Sequence, residues 1–128
     1  MAIVGIGLDL VPIARIRSLT ERWQERFLNR LYTDEERHYC FRRALPYASL
    51  AGRFAAKEAI LKALGTGWSV GVRWLDIQVL NDSAGRPVAT VYGRVADLTR
   101  EHHVTGIHVS LSHDDEYAIA EAVLTNDR

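Results

Sequence analysis

"RFAAKEAILKALGTG", residues 53–67, predicts a helix that stops at Gly65 and is small along one side. At about 100° per residue, Ala55, Ala56, Ala59, Ile60 and Ala63 form one continuous apolar face, while Phe54, Glu58, Leu61, Lys62 and Gly65 cluster elsewhere. An alanine face permits close approach of another backbone. Glu58, flanked by Phe54 and Leu61, is expected to be partly desolvated and to need a cation or hydrogen-bond donors to stay ionised. A solvated Glu58–Lys62 pair at i, i+4, worth only a few tenths of a kcal/mol, accounts for the same two residues.

Upstream, "AIVGIGLDLV" (2–11) is aliphatic and β-branched with two glycines, and reads as a buried strand with Asp9 inside it. Pro12 suits a first helical position. From there to Tyr32, Ile13, Ile16, Leu19, Trp23, Phe27 and Leu31 recur every three or four residues, the pattern of one amphipathic helix or two. Thr33 and Glu36 have capping-box spacing and start a short helix carrying Tyr39 and Phe41; Pro46 opens the helix that ends near Leu64.

Downstream, "WLDIQVLND", "SAGRP" and "VATVYG" read as strand, turn, strand; residues 94–103 as a helix; "GIHVSLSH" and "EYAIAEAVL" as two closing strands. Strands and helices are grouped instead of strictly alternating. The expected fold is therefore α+β, a mainly antiparallel sheet with helices packed on it, in a single domain over 1–128.

Sixteen Lys and Arg balance sixteen Asp and Glu, so no global field attracts nucleic acid or membrane, and any charged partner must be met locally. The single Cys40 allows no intrachain disulfide and no thiolate zinc cluster. No signal-like N-terminus is evident, and no apolar run approaches the roughly 20 residues that span a bilayer. A reducing cytoplasm is the expected compartment.

Asp9 inside an apolar strand needs a partner. With Glu58 it offers a hard, oxygen-preferring pair suited to magnesium, which binds through one or two carboxylates plus substrate phosphate; a salt bridge from Asp9 to Arg53 or Lys57 is the alternative. Arg53, Lys57, Lys62, "GTG" (65–67) and "SLSH" (110–113) supply groups for phosphate, although Ser112 and His113 equally suit a β-turn and a strand end. The helix macrodipole disfavours an anion at "GTG", so a phosphate there relies on Lys62 and turn amides. Neither a P-loop nor a dinucleotide fingerprint is present.

If residues 12–32 form a continuous helix, Arg15, Arg22, Arg26 and Arg30 fall within about 80° of one another beside Leu19, Trp23 and Phe27. Such a stripe suits an acidic helical partner. A solvated face paired with Glu21 and Glu25 is the plain alternative. These residues alone leave three readings open: a transferase, a metal-dependent phosphohydrolase, or a non-catalytic nucleotide-binding module.

"GIGLDLVPIARI" (5–16), "FLNRLYTDEE" (27–36), "RFAAKEAILKALGTG" (53–67), "GRP" (85–87) and "HVSLSHDDEYAIA" (108–120) together resemble the holo-acyl-carrier-protein synthases, the small bacterial phosphopantetheinyl transferases, over nearly the whole chain. The resemblance implies magnesium-dependent transfer of 4'-phosphopantetheine from coenzyme A to a serine of apo-acyl carrier protein, releasing adenosine 3',5'-bisphosphate for fatty acid biosynthesis. It implies metal binding by Asp9 and Glu58 and a pyrophosphate contact from Lys62. Arg53, Lys57, Gly65, Thr66, Ser112 and His113 would line the coenzyme A site, and Arg15, Arg22, Arg26 and Arg30 would receive the carrier. Glu58, or a magnesium-bound water it orients, would take the serine proton. A homotrimer is implied, with Asp9 and Glu58 from one chain and "SLSH" from its neighbour at each site.

Overall fold

The computed structural model describes residues 1–66 and 71–127; Gly67 of "GTG" and the start of "WSVGVRWLD", residues 68–70, lie outside them. The order is β1 (Ala2–Pro12), α1 (Ile13–Trp23), α2 (Glu25–Leu31), α3 (Asp34–Phe41), α4 (Pro46–Leu64), a 3₁₀ turn (Trp74–Asp76), β2 (Ile77–Asn81), β3 (Pro87–Val91), α5 (Gly93–Glu101), β4 (Gly106–His113) and β5 (Tyr117–Asn126). The strands form a three-stranded antiparallel sheet, β1–β5–β4, and a separate antiparallel hairpin, β2–β3. The expected α+β class holds, with its strands divided between two sheets.

α4 lies along the three-stranded sheet because both surfaces are stripped of side chain where they meet. A Cβ on Gly5 would stand 1.9 Å from the Ala63 carbonyl oxygen, and one on Gly7 only 1.8 Å from that of Ala59. Glycines two apart on a strand thus meet alanines four apart on a helix, since two strand residues and four helical ones advance by similar distances. Around this contact Ile60, Leu64, Val79, Val95, Ala122 and Leu124 form one buried cluster. A second, with Ile16, Leu28, Leu31, Leu50 and Ala118, seats α1 and α2 on the first half of α4.

Two expectations need correction. β1 is covered on one side only: Ile6, Leu8 and Leu10 are 60%, 54% and 56% exposed, so the strand is not buried within this chain. Of the one helix or two expected after Pro12, the chain forms two, because Gln24 adopts φ 50° and ψ −124° and separates α1 from α2. The apolar period continues across the break, which is why the pattern does not reveal it. "WLD" winds into the 3₁₀ turn before the strand begins at Ile77.

Candidate active site

α4 carries the reactive candidates. Pro46 occupies its first turn, and Gly65 ends it in the left-handed conformation at φ 75°, its N–H donating to the Lys62 carbonyl at 3.0 Å. Lys62, half exposed, reaches across to β1, where Nζ donates to the Leu8 carbonyl and to Asp9 Oδ1, both at 2.9 Å. Asp9 points to the α4 side of the sheet, two residues beyond Gly7, level with the turn of α4 that bears Glu58. Glu58, half-buried, precedes Lys62 by four residues on the same helical face. Asp9 therefore pairs with Lys62, not with Arg53 or Lys57. Among the described residues Thr66 Oγ1, just past the helix end, is buried without a hydrogen-bond partner.

Arg53, Ser112 and His113 gather elsewhere. They line a cleft of about 310 Å³ between the first half of α4 and the end of β4, with Tyr39, Arg43 and Asn81. Arg53 precedes Lys62 by nine residues, about 13 Å along the helix, so within one chain the cleft and the Asp9–Lys62 pair are separate half-sites.

Lys57 belongs to neither, and its expected place in the coenzyme A site is corrected. The side chain is sealed from solvent, and its three donors are taken by the Leu31 carbonyl at 2.6 Å, Glu36 Oε1 at 2.7 Å and the Trp74 carbonyl at 3.2 Å. Burial pushes its ammonium down from the ordinary lysine value, and the Glu36 carboxylate pulls it back. Glu36 also accepts from the Thr33 and Val79 amides, at 2.9 and 2.8 Å, so the expected capping box doubles as a buried junction of α3, α4 and β2.

The arginine stripe survives the break at Gln24 in part. Arg22 on α1 and Arg26 on α2 both lie over the Trp23 ring, at 5.0 and 5.7 Å, and Arg26 and Arg30 border a groove of about 350 Å³ floored by Leu19, Trp23 and Phe27. Arg15 is exposed on α1 and does not line that groove. Glu25 pairs with Arg37 at 2.6 Å and not with the stripe.

Sequence reasoning missed Lys57 and Glu36 as a buried pair, and Tyr39 and Asn81 as neighbours of Arg53. Only the capping-box spacing of Glu36 hinted at any of these. Among the described residues no cluster of three or more His, Cys, Asp or Glu side chains is placed to hold a metal. The donor set is two carboxylates without nitrogen or sulfur, which suits magnesium with its remaining positions left to water and phosphate.

An antiparallel α+β chain that sets a strand aspartate against a helical lysine, one turn from a glutamate, has the features of an enzyme handling phosphate. The family model of the 4'-phosphopantetheinyl transferase superfamily matches residues 5–122. The chain is 44% identical to the holo-acyl-carrier-protein synthase of Protochlamydia amoebophila, over 94% of this chain and 96% of that protein. Its fold matches the crystal structure of Helicobacter pylori holo-acyl-carrier-protein synthase in complex with coenzyme A (TM-score 0.83, 32% identity, 94% of this chain and 99% of that one). It also matches the Bacillus anthracis synthase in complex with coenzyme A (3',5'-ADP), at TM-score 0.81 and 35% identity over 99% of this chain and 100% of that one. The chain belongs to the 4'-phosphopantetheinyl transferase superfamily and, within it, to the holo-acyl-carrier-protein synthases.

Proposed function

We propose that the chain, as one domain over 1–128, transfers the 4'-phosphopantetheine group of coenzyme A to a serine hydroxyl of apo-acyl carrier protein, in support of fatty acid biosynthesis. The observation that carries this reading is the Lys62 ammonium held 2.9 Å from Asp9, one helical turn from Glu58. The serine oxygen forms a bond to the phosphorus of the pantetheine-bearing phosphate; the bond from that phosphorus to the bridging oxygen breaks, and adenosine 3',5'-bisphosphate departs with the electron pair. Such transfers depend on positioning and on neutralising charge on the phosphate oxygens.

Lys62 has three donors and spends two on Leu8 and Asp9, so the third is available to the departing phosphate. Glu58 accepts the serine proton. Asp9 and Glu58 are the residues that would hold magnesium, which when bound draws charge from the diphosphate oxygens. Arg53, Ser112 and His113 line the coenzyme A cleft, with Gly65 and Thr66 beside the other half-site.

The exposed Ile6, Leu8 and Leu10 face of β1 favours a homotrimer in which Asp9, Glu58 and Lys62 of one subunit meet the cleft of its neighbour. The arginines at 15, 22, 26 and 30 present a cationic surface to the acidic carrier. Among the described residues no helix is long and apolar enough to cross a membrane, and we place the enzyme in the cytoplasm, with no membrane or nucleic acid partner. Intact-mass analysis of apo-acyl carrier protein after incubation with the protein, coenzyme A and magnesium tests the reading: a gain of one phosphopantetheine is expected, and coenzyme A cleavage that needs no carrier would mark a hydrolase instead.

A further inference from the structure

Arg53 is 5% exposed in the middle of α4, yet no carboxylate among the described residues lies within ion-pair distance of it. A buried charge without a counter-ion is costly. What holds the side chain is neutral on both sides. Its Cζ sits 4.6 Å from the centroid of the Tyr39 ring, its Nη2 donates to Asn81 Oδ1, and Nε has no hydrogen-bond partner.

Asn81 is itself fixed from behind. Its Nδ2 donates to the Gly85 carbonyl at 2.9 Å, inside the turn joining β2 to β3, and that turn is closed by Asp82 N–H to the Arg86 carbonyl at 2.8 Å and Gly85 N–H to the Asp82 carbonyl at 2.9 Å. Flipping the amide would set its NH2 against a guanidinium and lose both bonds, so the oxygen must face Arg53. The Tyr39 ring is shared: Arg43 lies 5.2 Å from the same centroid. Arg43, Arg53 and His113 all line the 310 Å³ cleft, and among the described residues no acidic side chain does.

We infer that Tyr39 and Asn81 are positioning residues, which orient the Arg53 guanidinium without cancelling its charge and so keep it available to an anionic group of coenzyme A. The β2–β3 hairpin thereby controls coenzyme A affinity through Asn81, a role for the "GRP" turn that the transfer chemistry leaves unexplained. The inference rests on the coenzyme A cleft of the proposed transferase reading, not on its transfer step. An aspartate at 81 would satisfy the buried arginine better in the free protein and would take from the ligand the charge it needs. The amide supplies the geometry and leaves the charge.

Asn81→Asp is therefore the decisive variant, because a purely structural role and a positioning role assign it opposite outcomes. Expected are an unfolding temperature at or above that of the unmodified protein, and a coenzyme A Kd by calorimetry and KM by turnover both raised about tenfold or more. Expected as well are a kcat within about threefold and an unchanged KM for the carrier. Tyr39→Leu is expected to raise the coenzyme A KM and Tyr39→Phe, which keeps the ring, to restore it. Unaltered coenzyme A binding in folded Asn81→Asp, or equal KM values for Tyr39→Leu and Tyr39→Phe, would overturn the inference. Because calorimetry needs no turnover, a protein that binds coenzyme A, loses affinity in Asn81→Asp and never modifies a carrier would instead overturn the transferase reading and leave this one standing.

Discussion

The Lys62 ammonium bridges to Asp9 Oδ1 at 2.9 Å, tying the outer half of α4 to β1 at the place where the fold leaves a charged pair half open to solvent. Five residues earlier on the same helix, Lys57 is closed away against Glu36 at 2.7 Å. One helix thus carries a sealed lysine and a half-exposed one, and under the proposed transferase reading the two respond differently to the same substitution. Lys57→Met leaves the Glu36 carboxylate buried and unpaired, and is expected to lower stability by about 3–5 kcal/mol. Lys62→Met removes a half-open pair worth about 1 kcal/mol and is expected to abolish most transfer activity. Urea unfolding and turnover measured on both variants check the pair; equal loss of stability would show that burial does not separate their roles.

Gly7→Ala places a methyl group 1.8 Å from the Ala59 carbonyl oxygen, and neither backbone can yield without parting helix from sheet. A cost of about 3 kcal/mol or more is expected, with loss of activity in any folded fraction because Asp9 is carried away from Lys62. Thermal unfolding reads the first effect and turnover at a temperature below the transition reads the second.

The Gly7–Ala59 contact also shows how far the fold could be read from sequence. The alanine face announced a close backbone neighbour, and Gly5-x-Gly7 is its complement, but the strand period of two and the helical period of four had to be matched to see it. Caps were legible because they are local: Thr33 with Glu36, Pro46 and Gly65 stand where expected. What depends on distant partners was not. Lys57 meets Glu36 across 21 residues, and nothing in "RFAAKEA" separates a buried lysine from a solvated one. The position of the break at Gln24 was hidden because the apolar residues keep their period across it, and the bare outer face of β1 because its aliphatic residues suit burial by a second copy as well as by the chain itself. The nearness of Lys62 to Asp9, 2.9 Å in the structure, was legible since each is a charge set in an apolar context.

Arg26 lies over Trp23 at the edge of the α1–α2 groove, where an acidic carrier would meet it. Arg26→Glu is expected to raise the KM for apo-acyl carrier protein about tenfold while leaving that for coenzyme A unchanged, and the difference should shrink as salt rises. Steady-state kinetics at low and high ionic strength check this. A salt-independent effect would indicate damage to packing.

Asp114, in the turn before β5, accepts the backbone N–H groups of Tyr117 at 2.7 Å and Glu116 at 2.8 Å, which hold its carboxyl below the ordinary aspartate value of 3.8. A depressed folded value means its contribution is present above pH 3.8 and lost as pH falls through the lower folded value. Asp114→Asn is expected to lose less stability than the unmodified protein as pH falls below 3.8, read from urea midpoints at descending pH. An unchanged acid limb would remove Asp114 from it.

The central claim is that Asp9 and Glu58 act together beside Lys62, and the most direct measurement is an intact-mass time course of apo-acyl carrier protein with coenzyme A and magnesium, using the unmodified protein, Asp9→Asn and Glu58→Gln. One phosphopantetheine per carrier is expected with the unmodified protein, and rates lower by about two orders of magnitude or more with each variant at unchanged unfolding temperature. Near-normal rates in both folded variants at saturating magnesium would contradict the claim.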